Sequence, residues 1–243
     1  IIPVLDPANA PYRASPDAAR FLLMKVLLNK QAFLNRQTPA AADAGDMAKV
    51  IALGQQIVAG GNYKLTANFF DNFGPNNGGF APGYGNTVSN ERIFCTSNNG
   101  SATNNGLNPA GIDARWMMTL HYNSWDATGV YGSAGWNGFS TIADFYNAFG
   151  ANDSRRGNVP YTGVTNTSGL KVGLLEGQQY NEAGKMVQDR KGNPLIFRDS
   201  VSLVEANPAT LEGDGIRIVK YAPDYSAYNG GVQRNQLVFF RYA

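Results

Sequence analysis

Gly135-Trp136-Asn137-Gly138-Phe139-Ser140-Thr141-Ile142-Ala143-Asp144-Phe145-Tyr146-Asn147-Ala148-Phe149, closed by Asp153-Ser154-Arg155-Arg156-Gly157, reads as an aromatic loop feeding a short helix whose end is held by charge. Ser140 or Thr141 is placed to cap that helix by accepting a backbone N–H bond. Ile142, Phe145, Tyr146 and Phe149 then recur at helical spacing and predict one apolar face. The Asp-Ser-Arg-Arg run beyond offers a guanidinium fork and a carboxylate for local pairing.

Upstream, prolines at 3, 7 and 11 predict an extended lead-in. Ser15 before Pro16 is a helix start, with a hydroxyl at the cap and proline in the first turn. The apolar period carries this helix to about Asn35. A second helix is predicted over Asp43 to Ala59, stopped by Gly60-Gly61. Such a pair forms a tetratricopeptide-like hairpin, and one pair alone cannot cover both of its faces. Residues 1–65 are therefore expected to form a helical hairpin with its lead-in, and 66–243 a loop-rich remainder. There Phe69, Phe70 and Phe73 anchor a turn, and Asn72 to Asn90 and Ser97 to Gly111 are long polar loops around a short strand at Arg92 to Thr96. Further strands are predicted at Lys171 to Leu175, Pro194 to Phe197, Ile216 to Tyr221 and Leu237 to Phe240. The expected fold is mainly α-helical with irregular loops and a minor β part.

Twenty Lys and Arg against 18 Asp and Glu give a net charge of +2, which points away from nucleic acid and anionic membrane. Charged residues make up only 16% of the chain, against about a quarter in an average soluble protein. Asn, Gly, Ser and Thr fill the difference, which suits neutral polar ligands. Cys95 is the only cysteine and His121 the only histidine, which removes disulfides, the usual zinc sites and most catalytic triads. His121 reads as a hydrogen-bonded structural residue and Cys95 as a small buried hydrophobe. No phosphate-binding glycine loop, nucleophile elbow or calcium loop is present, so no cofactor or metal is expected. A glycosidase needs two facing carboxylates; Asp126, Asp144, Asp153, Glu176 and Glu182 are the candidates, and spacing does not pair them.

Aromatic loop residues are the stronger candidates for function. Sugars present C–H faces that stack on Trp and Tyr, while their hydroxyls need amides and carboxylates. Trp125, Tyr131 and Trp136 with Asn123, Asp126 and Asn137 have that composition, with Tyr84 and Phe80 in the earlier loop as a second place to look. Trp116, beside Met117 and Met118, reads as core.

Four blocks resemble the SusD/RagB family of surface nutrient-binding lipoproteins of Bacteroidetes-type bacteria. They are the Gly135–Gly157 stretch above, similar to "GWNG…T..DF…F…D.RRG"; Tyr12 to Lys25, similar to "RAS-x-DAA-x-x-LLMK"; Asn90-Glu91-Arg92-Ile93-Phe94, similar to "NEIIF"; and Asn235 to Ala243, similar to the start of "ND-x-VFFRYADVLLMKAEA". The resemblance implies a tetratricopeptide-like helical scaffold with a capping region. It implies capture of an oligosaccharide or peptide at the outer-membrane cell surface and delivery to a TonB-dependent transporter of the SusC type, without bond cleavage. Membrane contact would come only through a lipid anchor outside this segment, and further helices would precede and follow it. A secreted carbohydrate-active hydrolase and a purely structural subunit of the transporter complex are the competing classes.

Overall fold

Ser15 Oγ accepts the Ala18 N–H at 3.2 Å and Pro16 occupies the first turn, so α1 (Pro16–Leu34) starts where the Ser-Pro pair directs. Asp43 caps α2 (Ala44–Ala59) by accepting the Asp46 N–H at 2.8 Å. The computed structural model describes residues 2–8, 10–80, 88–98, 118–124, 135–163, 171–181, 184–201, 204, 210–222 and 234–243. They fall into two units, one of 1–66, 90–97 and 238–243, the other of 67–89 and 98–237.

In the first unit α1 and α2 pack together, and β1 (Arg92–Cys95) pairs antiparallel with β7 (Val238–Arg241). Ala18, Ile57, Tyr63 and Ile93 form its core, with Phe21 stacked on Phe240 at 4.8 Å. Glu91 holds the chain entry to both strands, accepting from Thr66 N–H at 2.7 Å and from Arg241 at 2.6 Å.

In the second unit β2 (Gly157–Pro160), β3 (Lys171–Leu175) and β6 (Arg217–Val219) form an antiparallel sheet, and β4 (Gly177–Gln178) pairs with β5 (Ile196–Phe197). Gly157 and Gly173 sit opposite each other with φ of +63° and +99°, and a Cβ on Gly157 would run into Val172 O. Only glycine allows that approach. Tyr146, Leu174 and Ile216 pack together beneath α3 (Ala143–Asn147).

The expectation of a mainly helical, tetratricopeptide-like architecture is overturned. Among the described residues there are three α-helices, one of them of 5 residues, against seven strands in three antiparallel sheets. The helical hairpin is one element of a mixed α and β fold, because the chain beyond it is too rich in glycine and polar loop residues to sustain helical periodicity. The short helix also differs from its prediction. Thr141 exchanges both backbone bonds with Ile216, at 2.8 and 3.1 Å, so α3 starts two residues later with Ile142 as a cap that makes no side-chain bond. Ile142 and Phe145 are exposed while Tyr146 is buried, so the predicted apolar face is split. The charged closure forms as read: Arg155 grips Asp153 through Nε at 2.9 Å, and Arg156 lies 3.9 Å over the Tyr146 ring.

Buried amides close the second unit. Asn77 Nδ2 donates to Asn72 O at 2.8 Å and to Gln236 O at 3.0 Å, while Asn77 Oδ1 accepts Gln236 N–H at 2.8 Å. Gln236 Nε2 donates to Asn98 O, Asn98 Nδ2 to Asn235 O, and Asn235 Nδ2 to Phe73 O and Ala222 O. Removing one partner of a buried bond strands the other at ~1–3 kcal/mol. Replacement of Asn77 by Ala breaks three such bonds at once and is expected to cost at least about 3 kcal/mol in urea unfolding, whereas Asn29→Ala on the exposed side of α1 should cost less than about 1 kcal/mol.

Candidate functional site

The Gly-Trp-Asn-Gly sequence is shaped by its neighbour, residues 118–124. Asn137 N–H donates to Leu120 O at 2.9 Å, and the N–H groups of Gly138 and Phe139 both reach Met118 O at 2.9 Å. Gly135 packs on the Leu120 and His121 carbonyls so closely that a Cβ would collide with both. Asn137 takes the left-handed conformation with φ of +50°, which Asn tolerates better than most residues. The 121–124 turn is held by Ser124 N–H to His121 O at 3.0 Å and by His121 N–H to Ser124 Oγ at 3.1 Å. Trp136 is left with 47% of its surface exposed beside this turn, and Phe139 and Tyr122 are exposed as well.

Beneath lies a charged floor. His121 is fully buried; its Nδ1 accepts Asn123 N–H at 3.0 Å, and its Nε2 faces Glu212 Oε2 at 2.6 Å. That pattern assigns the proton to Nε2 in the neutral imidazole. Burial pushes the His121 pKa down, against the opposing pull of Glu212. Partial burial pushes Glu212 up, but hydrogen bonds from His121 and from the Arg190 side chain and N–H together outweigh it, and its carboxyl titrates below the ordinary range. Arg190 binds Glu212 Oε1 at 2.5 Å and lies 4.4 Å over the Tyr122 ring. Arg217, also buried, donates to Asn137 Oδ1 at 2.8 Å and to Phe139 O and Glu212 O, and rests over Phe197. Burial lowers its pKa to about 10, so it stays a cation at neutral pH. The floor thus locks both sides of the aromatic turn.

Of the sequence candidates, Asn123 lies on the 121–124 turn and Trp136 on the segment that bonds to residues 118 and 120. Asn123 Nδ2 donates to Gln188 O at 2.9 Å, and its Oδ1 has no donor among the described residues. Trp125, Asp126, Tyr131 and Tyr84, and also Trp116, lie outside the described residues. Both nitrogens of His121 are engaged and its ring is sealed, so it serves as a structural residue. Cys95 is buried, and burial raises its thiol pKa. Asp153 is engaged by Arg155, and Glu176 accepts from Tyr146 at 2.5 Å. Among the described residues no group of three or more His, Cys, Asp or Glu could hold a metal ion. Sequence reasoning missed Glu212, Arg190 and Arg217, which lie 69 to 96 positions from His121 and carry no local motif. Comparison with protein-family models, curated proteins and solved structures finds no match to this chain.

The floor makes the second unit acid-sensitive in two stages. A histidine whose folded pKa is lowered must charge on unfolding, so its contribution is complete above the unfolded value of ~6.5 and fades as pH falls toward the folded pKa. Glu212, also lowered, holds its contribution above ~4.3 and loses it as pH falls further. Melting temperature should be level from pH 8 to 7, decline below about 6.5 and decline more steeply below about 4.3. His121→Gln should flatten the first decline.

Proposed function

We propose that this chain is part of a cell-surface nutrient-binding protein of the SusD/RagB type. It captures an oligosaccharide, or a peptide, and hands it to a TonB-dependent outer-membrane transporter of the SusC type without breaking a bond. Four sequence blocks in order support the family reading. The observation that carries the binding reading is the exposed Trp136, on a segment tied to residues 118 and 120 and held by Arg217 through Asn137, with Asn123 on the 121–124 turn that His121 and Glu212 fix. A stacking ring must be accessible and must not move when the ligand arrives, since ordering it on binding weakens affinity. Asn123 Oδ1, with no donor among the described residues, offers an acceptor to a ligand hydroxyl. The alternative reading, a hydrolase, needs two facing carboxylates; of its candidates Asp153 is engaged by Arg155 and Glu176 by Tyr146, while Asp126 and Glu182 lie outside the described residues.

Glycan-array screening followed by calorimetric titration tests this. Trp136→Ala should weaken the best oligosaccharide or peptide ligand by roughly tenfold, about 1.4 kcal/mol, and shift melting by no more than a degree or two. Prolonged incubation with that ligand should release no reducing ends or new amines. Turnover abolished by a single Asp or Glu substitution would establish the hydrolase, and absence of any ligand would favour a structural subunit.

A further inference from the structure

Arg190 stands on the 189–193 turn, which is tied at several points. Asp189 Oδ1 accepts the N–H groups of Lys191 and Asn193, both at 2.8 Å, and Asp189 N–H reaches Asn193 O at 2.8 Å. Gly192 turns the chain with φ of +84°. The Arg190 side chain is held as well. Its Nε donates to Glu212 Oε1, its backbone N–H to Glu212 Oε2, and its guanidinium lies 4.4 Å over the Tyr122 ring. Yet that side chain is 60% exposed. Fixing an exposed arginine costs up to ~2 kcal/mol of rotamer entropy, so a pre-set guanidinium at the surface calls for a reason.

Its outer end is open. Glu212 already accepts at both oxygens, since Oε2 also faces His121 Nε2, and Arg190 Nη1 and Nη2 have no acceptor among the described residues. The other carboxylates of this corner are engaged too: Asp189 holds its own turn, and Asp214 faces Arg198 at 3.6 Å. Arg217 below hydrogen-bonds three uncharged acceptors, Asn137 Oδ1, Phe139 O and Glu212 O. The 122–123 and 188–190 segments meet at two points, Tyr122 under Arg190 and Asn123 Nδ2 on Gln188 O. Tyr122 and Asn123 are exposed, and the Tyr122 hydroxyl and Asn123 Oδ1 have no hydrogen-bond partner among the described residues. A planar fork of two free N–H groups matches one carboxylate, and the amide oxygen and phenol beside it match hydroxyls. A uronic acid carries both on one ring.

We propose that the Tyr122–Asn123–Arg190 corner binds the carboxylate of a uronic-acid oligosaccharide, which rests on the binding reading above and narrows its ligand. Arg190 Nη1 and Nη2 hold the carboxylate, and Asn123 Oδ1 accepts from a ring hydroxyl. Screening the full chain against neutral, uronate-bearing and sulfated oligosaccharides and acidic peptides tests this, followed by calorimetric titration of the leading uronate oligosaccharide and of its methyl ester. Uronates should lead, and esterification, which removes the charge and keeps the ring, should weaken binding at least about tenfold. Arg190→Gln should weaken the uronate at least about tenfold and the ester less than about twofold, and Arg190→Lys, which keeps the charge and loses the fork, should not restore it. Asn123→Asp, which turns a carboxylate toward the ligand's own, should also weaken the uronate while leaving Glu212 untouched. Equal binding of acid and ester overturns the proposal, as does uronate binding that Arg190→Gln and Asn123→Asp leave intact. A neutral glycan, sulfated glycan or peptide in the lead overturns it while the binding reading stands. Uronate capture followed by cleavage keeps the proposal and removes that reading, and no binding at all overturns both.

Discussion

The second unit depends on one constraint: buried amides that bond the 72–79 segment to residues 235 and 236, about 160 positions later. Asn77 and Gln236 exchange bonds as two strands would, but the Asn77 partner is a side chain. Loop backbone cannot be buried with its N–H and C=O groups unpaired, and side-chain amides, each both donor and acceptor, satisfy it where no ladder runs. Ser89 adds a bond to Asn72 Oδ1 at 2.5 Å, and Gly78 lies so close to the Gln236 side chain that any Cβ would displace it. The cost of breaking such a set lies in what it strands, which makes the network specific as well as stabilising.

The aromatic turn uses the same economy of side chains in place of regular structure. Arg217 is anchored in β6, yet its guanidinium reaches Asn137 Oδ1 and Phe139 O and so fixes a loop from a sheet. Glu212 ties His121 to Arg190, and His121 in turn fixes Asn123. Because polar groups are satisfied from below, Trp136 can remain exposed without leaving its backbone free. The rigidity belongs to the floor and the accessibility to the ring.

Local signals were legible wherever a single residue type decides the matter. Ser15-Pro16 and Asp43 start the helices, Gly60 ends α2, and the Lys171–Leu175 run forms β3 as read. What was not legible is what tertiary partners decide. Thr141 reads as a helix cap, but Ile216 claims its backbone, and no local pattern reveals that competition. Gly157 reads as the end of a charged turn, yet its place opposite Gly173 makes it the start of β2. Asparagine-rich segments such as 72–79 read as surface loop, although Asn72 and Asn77 are fully buried. The helical hairpin was read correctly in its bounds and wrongly as the pattern for the whole chain. Asn123 and Trp136 stand out as candidates because ring and amide chemistry is visible in composition, whereas the floor of His121, Arg190, Glu212 and Arg217 comes from three distant segments.

Native-state hydrogen exchange at the Gln236 amide tests the central role of the buried amides most directly. That N–H donates to the Asn77 side chain, and Gln236 belongs to no sheet or helix among the described residues. If the network closes the second unit, it should exchange as slowly as the β3 amides and speed up in step with them as urea is added. Exchange at the rate of an exposed loop, independent of urea, would show that the amides decorate the fold and do not hold it.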